Sequence, residues 1–389
     1  MSEVAQAPHS SPDGRIPQLR FPEFDGVWES RLLKDAVKIN PRSGELPDEF
    51  IYIDLESVKK GYLIKETQIN KIGAPSRAQR LLNKNDVIFQ TVRPYQKNNY
   101  FFNLDGDYVA STGYAQLRVL NSPEFLYQAL HTDRFVYDVM ARSTGTSYPA
   151  INSTDLSKIK LNLPTKPEQQ KIAAFLTAVD NKIEQLSKKQ ELLGEYKKGL
   201  MQQIFSQAIR FKADDGSDFP DWKEKKLGDI LDYEQPTNYI VDSTEYDNSF
   251  DMPVLTAGKS FILGYTNETH KVFENIPVII FDDFTTANKY VDFPFKVKSS
   301  AMKILKPKDS FVNIRLIFEF IQMLNFPIGE HKRYWISEYQ DLKIPFPSFE
   351  EQTKIASFLS SIDNKIEQVG KQLDESKQFK KALLQQMFV

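Results

Sequence analysis

The stretch Glu168-Gln169-Gln170-Lys171-Ile172-Ala173-Ala174-Phe175-Leu176, followed after three residues by Asp180-Asn181-Lys182-Ile183-Glu184-Gln185, decides how this chain is read. It returns as Glu351-Gln352-Thr353-Lys354-Ile355-Ala356-Ser357-Phe358-Leu359 and Asp363-Asn364-Lys365-Ile366-Glu367-Gln368. The offset is a constant 183 positions across residues 164–205 and 347–388, and half of the aligned positions are identical. Lys197-Lys198, Leu200, Gln202-Gln203 and Phe205 recur in the same way. One helical unit has been written twice, each time after a different globular stretch.

The repeats read as helices because their seam alternates steps of four and three. The first seam is Ile172, Leu176, Val179, Ile183, Leu186, Gln190, Leu193, Lys197, Leu200 and Ile204. The second is Ile355, Leu359, Ile362, Ile366, Val369, Leu373, Ser376, Lys380, Leu383 and Met387. Such spacing keeps an apolar stripe turned towards a partner helix. Pro164 and Pro347 stand just upstream, where proline is tolerated, and neither repeat contains one at a later seam position. A lone helix of this kind exposes its stripe, so the nearest partner for each copy is the other. Pairing of like elements predicts an antiparallel, pseudo-twofold coiled coil, by analogy with isologous dimers.

Working outward, each repeat follows a unit with a shared entry signal. Arg20-Phe21-Pro22-Glu23-Phe24 and Trp28, then Leu32-Leu33 and Asp35, echo Phe219-Pro220-Asp221-Trp222, Leu227-Gly228 and Asp229. Beyond that the two units diverge almost completely. Strand-like runs occur at residues 86–90 and 108–110 of the first and at 276–281 and 301–305 of the second. Short helices are expected within 123–141 and 310–325. The predicted fold is α+β, with two mixed α/β recognition domains joined by two long antiparallel helices. Its boundaries are 1–163 for the first domain, with 1–14 a disordered tail, 164–208 for the first helical region, 209–346 for the second domain, and 347–389 for the second helical region.

A chain of 389 residues favours two or more domains. No apolar run approaches the roughly 18 residues of a membrane span, and the polar start shows no signal-peptide core, so the expectation is a cytoplasmic protein without membrane association. The absence of cysteine excludes disulfides, thiolate metal sites and a cysteine nucleophile. The net charge of −2 is unevenly spread: residues 206–343 carry 17 cations against 22 acids. A solitary nucleic-acid binder is usually more basic, so positive charge must be local or be supplied by a partner.

Signals of catalysis fail on spacing. Gly258-Lys259-Ser260 resembles the end of a phosphate-binding P-loop, but Pro253 stands where its first glycine belongs. Pro220-Asp221 with Glu224-Lys225-Lys226 has its acids too close in sequence for a nuclease core. His9, His131, His270 and His331 lack a second ligand at metal spacing, so no metal site is expected. Neither a dinucleotide fingerprint nor the Asn-Pro-Pro-Tyr-like loop of an amino-methyltransferase is found.

Two basic windows, one in each unit, point to nucleic acid. Lys71, Arg77, Arg80, Lys84, Arg93 and Lys97 oppose the single Asp86, and Lys289, Lys296, Lys298, Lys303, Lys306 and Lys308 oppose the single Asp292. Clustered cations release counterions from a phosphate backbone, although each window reads equally well as a solvated face. A hydroxyl-rich loop, Arg142-Ser143-Thr144-Gly145-Thr146-Ser147-Tyr148, suits phosphate or base-edge contact; its alternative is a structural turn. Lys332-Arg333 holds the corresponding place in the second unit, and Lys259-Ser260 adds a loop that touches phosphate. The predicted DNA-contacting set is therefore Lys71, Arg77, Arg80, Arg93, Lys97, Arg142, Ser143, Thr144, Thr146, Ser147, Tyr148, Lys259, Ser260, Lys289, Lys296, Lys298, Lys332 and Arg333.

Taken together, the duplicated Pro-x-x-x-Glu-Gln-x-Lys-Ile-Ala-x-Phe-Leu with Asp-Asn-Lys-Ile-Glu, Arg20-Phe-Pro with Trp28, Gly145-Thr146-Ser147-Tyr148-Pro149-Ala150-Ile151 and Val254-Leu255-Thr256-Ala257-Gly258 resemble the specificity subunit of a type I restriction-modification system. The resemblance implies a non-catalytic subunit whose two target-recognition domains each read half of a split asymmetric sequence in double-stranded DNA. It further implies helical regions that act as a ruler and bind two modification (methyltransferase) subunits, with restriction (translocase and nuclease) subunits added. S-adenosylmethionine, ATP and Mg²⁺ would then be used by the assembly and none by this chain. A coiled-coil protein-interaction adaptor, and an orphan specificity protein serving a methyltransferase without a nuclease, are the competing readings.

Overall fold

The computed structural model describes residues 15–257, 260–327 and 333–389. Lys259, Lys332, His9, His331 and the expected tail over residues 1–14 lie outside them. The chain divides into two compact units, residues 1–188 with 370–389, and residues 189–369. Each repeat is one uninterrupted helix, Lys166–Phe205 and Phe349–Met387, of 40 and 39 residues. Either unit therefore contains a part of both. No helix among the described residues is long and apolar enough to cross a membrane.

In the first unit a two-stranded ribbon pairs Glu29–Leu32 with Lys160–Leu163, so the start and end of the globular part close on each other. One four-stranded sheet runs Val37–Ile39, Tyr114–Val119, Asp86–Gln90, Tyr100–Phe101, and a second runs Thr67–Asn70, Glu49–Ile53, Tyr108–Ser111, Ala78–Leu81. Within the second sheet, Tyr108–Ser111 is parallel to Glu49–Ile53. Asp86–Gln90 is buried along its whole length because sheet and helices cover it on both faces. The predicted helix over 123–141 is two, Pro123–Ala129 and Asp133–Arg142, the second capped by the Thr132 hydroxyl, which accepts from the Phe135 amide.

The second unit repeats this plan under a different sequence. Lys223–Lys226 pairs with Lys343–Phe346. A four-stranded sheet runs Leu231–Glu234, Met302–Pro307, Val278–Asp282, Asn288–Val291, the same order as its counterpart. Its central strand Val278–Asp282 is again fully buried. The remaining sheet has three strands, Ile262–Thr266, Met252–Leu255 and Lys296–Val297, and keeps the parallel pair.

The long helices run antiparallel within each unit. In the first, Ile172 and Leu176 share a core with Leu383 and Met387. In the second, Met201 and Ile204 share one with Ile355, Ala356 and Leu359. Ile183, Leu186, Ile362, Val369 and Leu373 are buried as the seam predicts, whereas Val179, Leu193 and Ile366 are half-buried. Those cores do not belong to the helices alone. Trp28, Phe125 and Ala129 enter the first, and Ile230, Leu316 and Phe320 the second, so each helix pair is welded to its globular part.

Candidate nucleic-acid interface

The hydroxyl-rich loop of the first unit is a built hairpin. Helix Asp133–Arg142 ends with the Ser143 hydroxyl donating to the Val139 carbonyl at 2.9 Å. Thr144 and Ala150 then exchange two backbone hydrogen bonds of 2.9 Å. Gly145 sits at φ +92°, and a Cβ there would meet the Tyr148 carbonyl at 3.1 Å, which is why the tip takes glycine. The hairpin docks on the neighbouring loop through the Arg93 amide, which donates to the Pro149 carbonyl at 2.7 Å, and the Ile151 amide, which donates to Thr91 at 3.0 Å.

This docking brings Arg93 to Tyr148, two residues that are 55 positions apart in the chain. The guanidinium lies 4.1 Å from the ring centroid, and the ring is 63% exposed. Arg93 itself is held in the left-handed region at φ +54°, one end of the short turn Pro94–Gln96. Arg142, Thr144, Thr146 and Ser147 are exposed around them. A stacked guanidinium beside an exposed aromatic face and three free-standing hydroxyl side chains can take phosphate oxygens and base edges together. Tyr95, 49% exposed between Arg93 and Lys97, joins the same loop and was missed in the sequence reading, although its place beside Arg93 was the available signal.

Several predicted cations are already paired with acids or partly buried. Lys97 donates to the His131 carbonyl at 2.9 Å and to Asp133 at 2.6 Å, holding the start of the second helix. Lys71 is paired with Glu45 at 2.8 Å. Arg77 is exposed, while Arg80 is half-buried, its Nε buried without an acceptor, and burial pushes its pKa down.

The second basic window is not a basic face, and this corrects the count-based expectation. Lys296 has no exposed side-chain surface and donates to the His270 carbonyl and Glu268, both at 2.7 Å. Lys303 is buried beside Asp283 at 3.4 Å, and Lys306 and Lys308 pair with Glu234 and Asp232. Strand alternation and loop return bring acids to these lysines that are distant in sequence. Lys289, Ser260 and Arg333 are exposed, and Lys298 is half-buried, 5.9 Å from the Tyr246 ring. Tyr246 is a second residue that sequence reading missed. Of the hairpin's place in this unit, residues 329–332 fall outside the described residues.

His270 is also not isolated, as its sequence context implied. One ligand atom each from Asp242, Glu268 and His270 lie within 4.8 Å of one another. Lys271 and Lys296 already neutralise those carboxylates, and the His270 and Lys271 hydrogen bonds hold Asp242 down to about 2. The charge that a cation would bring is supplied by lysine.

Each unit carries the same anchor. Arg20 grips buried Glu168 through Nε at 2.7 Å and Nη2 at 2.8 Å, and Trp28 Nε1 donates to it at 3.3 Å. Arg210 and Trp222 hold Glu351 in the same manner, at 3.2, 2.8 and 2.7 Å. Glu351 stands 183 positions after Glu168. The second arginine comes from Arg210, upstream of Phe219-Pro220, so the sequence motif concealed it.

The chain matches the family described as Type I restriction modification DNA specificity domain over residues 26–193 and 220–376. It is 50% identical over 141 residues to the type I restriction enzyme EcoR124I/EcoR124II specificity subunit of Escherichia coli, covering 35% of each chain. It is 26% identical over 276 residues to the putative type I restriction enzyme MjaX specificity subunit of Methanocaldococcus jannaschii, covering 60% of each. The aligned regions thus span about a third and somewhat over half of those two relatives. Among solved structures, a type I restriction-modification S subunit from M. genitalium superposes with TM-score 0.66 at 17% identity, covering 96% of this chain and 99% of that one. A chain from a structure described for the assembly and conformational transition of a type I R-M system gives 0.51 at 23%, covering 92% and 96%. With the family matched twice, once in each globular part, this chain belongs to the type I restriction-modification DNA specificity family.

Proposed function

We propose that this chain is the sequence-reading subunit of a type I restriction-modification enzyme, one recognition domain for each half of a bipartite, asymmetric duplex target. The observation that carries this reading is one strand order built twice under unlike surfaces. A scaffold repeated with its anchors intact, while its exposed loops differ, is what two specificities on one frame require. In the first unit the reading surface is the Arg93–Tyr148 pair with the hairpin hydroxyls. In the second the candidate contacts are the exposed Lys289 and Arg333 and the half-buried Lys298.

The chain supplies recognition, and partners supply chemistry. Two modification subunits would methylate adenine with S-adenosylmethionine, and restriction subunits would use ATP and Mg²⁺ to move along and cut the duplex, in the cytoplasm. The pairing of Lys71, Lys97, Lys296, Lys303, Lys306 and Lys308 with acids of the fold fits a reader whose partners help clamp the DNA.

Selection of duplexes from a random library by the complex with its modification subunits tests the proposal. Two short conserved blocks separated by a spacer of fixed length are expected, with affinity falling steeply as salt rises, because phosphate contacts release counterions. One continuous block, or salt-independent binding, contradicts it.

A further inference from the structure

In the first unit Arg93 stands on the loop that follows the fully buried central strand, and the second unit has a loop at the same address. Gln90 closes Asp86–Gln90 opposite Tyr114, the first residue of the neighbouring strand. Asp282 closes Val278–Asp282 opposite Met302, again the first residue of its neighbour. The equivalence extends to what docks there. The Ile151 amide donates to the Thr91 carbonyl at 3.0 Å, and the Tyr334 amide to the Asp283 carbonyl at 2.8 Å. Tyr334 stands 183 positions after Ile151, the offset that relates the two helical repeats. Residues 283–287 are therefore the counterpart of residues 91–99, which carry Arg93 and Tyr95, although the two loops share neither length nor sequence.

The last side chain of each central strand is polar, buried and turned to holding its loop. Gln90 donates to Gln96 Oε1 at 2.9 Å. Asp282 accepts from the Phe284 amide at 2.8 Å and the Thr285 amide at 3.2 Å. The Thr286 amide donates to the Asp282 carbonyl at 2.9 Å, and the Asp282 amide to the Ala287 carbonyl at 2.8 Å, so the second loop is a closed turn. Buried Asp283 is satisfied beneath it by the Trp335 amide at 2.9 Å and by Lys303 at 3.4 Å. Both loops hold a non-glycine residue in the left-handed region, Arg93 at φ +54° and Thr286 at φ +56°. A β-branched residue is strained there, and such strain persists where the surroundings over-determine it, as at binding sites. The turn presents Thr285 and Ala287 to solvent. The Thr285 hydroxyl accepts from the Ala287 amide at 3.4 Å and keeps its own proton for an outside acceptor. Exposed Lys289 follows the turn, and exposed Arg333 directly precedes the docked Tyr334.

We propose that the turn over residues 283–287 is the base-reading element of the second unit, with Thr285 and Ala287 meeting base edges while Lys289 and Arg333 take the flanking phosphates. The proposal rests on the functional reading above and names how the second half-site is read. A threonine hydroxyl donates to or accepts from a base edge, and an alanine methyl packs on the methyl of thymine. Ammonium and guanidinium groups beside them hold the backbone without regard to sequence. The two units then read by different chemistry, a guanidinium stacked on tyrosine in the first and a hydroxyl with a methyl in the second.

Duplex selection from a random library by the full chain in complex with its modification subunits tests this, with circular dichroism as the check on folding. The second half-site is the one that stays unchanged when residues 26–160 are exchanged. Thr285→Val, which removes the hydroxyl and keeps the shape, relaxes one position of that half-site and lowers affinity for the original target about tenfold. The first half-site, the spacer and the salt dependence stay as they were. Thr285→Ser, which keeps the hydroxyl, retains the preference at that position, and Ala287→Asn alters the second half-site alone. Lys289→Ala and Arg333→Ala weaken binding to all duplexes alike and make the loss of affinity with salt shallower, each by about one phosphate contact. A second half-site read as before by both Thr285→Val and Ala287→Asn, a change in the first half-site, or a uniform loss on every sequence from Thr285→Val overturns the assignment of the turn. An unaltered complex that selects no two-block target overturns the functional reading instead.

Discussion

Glu168 shows how much one side chain carries when it is buried, charged and satisfied. Its side chain is 1% exposed, and a bidentate arginine and an indole share its two oxygens. Glu168→Ala leaves the Arg20 guanidinium without its counter-charge, and breaking such a pair costs about 3–5 kcal/mol. The expected outcome is a marked drop in the unfolding midpoint of the first unit, with Glu351→Ala acting likewise on the second; unchanged denaturant midpoints contradict it. His131 adds a pH dependence. Burial, then repulsion from Lys380, pushes its pKa down to about 4 from 6.5. The imidazole is therefore neutral when folded and must gain a proton as it unfolds in mild acid. Its contribution is complete above about pH 6.5 and is lost as pH falls towards 4. His131→Asn should lose less stability than the unaltered chain between pH 7 and 4.5, and parallel losses would refute this. At this scale sequence was a poor guide to the interface. It counted Lys296 and Arg93 as equals, whereas one is sealed against Glu268 and the other stacks on exposed Tyr148. Arg93→Ala is expected to weaken DNA binding about tenfold while sparing stability, consistent with loss of one cation–π-supported phosphate or base contact. Lys296→Ala should do the reverse, leaving Glu268 without its ammonium partner, as chemical denaturation and a filter-binding assay on each variant will show.

Among elements, the long helices were the most legible, because a seam of steps four and three leaves little choice of structure. Even their polar breaks carried information. Lys197 and Lys380 occupy seam positions where an apolar residue belongs, and they are the residues that reach Asp363 and Asp180 of the opposing helix. A polar pair in a seam, here half-buried, fixes register and orientation at some cost in stability. The exchange Asp180→Lys with Lys380→Asp should accordingly retain most of the stability that either single change removes, as a double-mutant cycle measures. What the seam could not reveal was the sharing of its core with Trp28, Phe125 and Phe320, since those contacts depend on tertiary packing. Ile183→Asp and Ile366→Asp place a carboxylate on the seam, and burying it there costs about 2 kcal/mol or more. They are expected to disturb assembly with the modification subunits more than the bases read. Altered base preference with intact assembly, measured by pull-down and duplex selection, would refute the role given to these helices. The sheets were harder to foresee. Central strands Asp86–Gln90 and Val278–Asp282 announced themselves as continuous apolar runs, but neither run shows which strands flank it.

For the whole molecule, duplication was legible at once, whereas the unlike globular parts hid a common topology that the fold displays. Sequence drift is cheap wherever apolar character and alternation are kept, so strand order outlasts residue identity. The account's central claim is that each globular part reads its own half of the target. It is tested most directly by exchanging residues 26–160 for the matching part of a relative with a different target, then mapping methylated adenines across a host genome. One half of the recognised sequence should change while the other half and the spacer length stay as they were; a change in both halves, or in neither, contradicts the account.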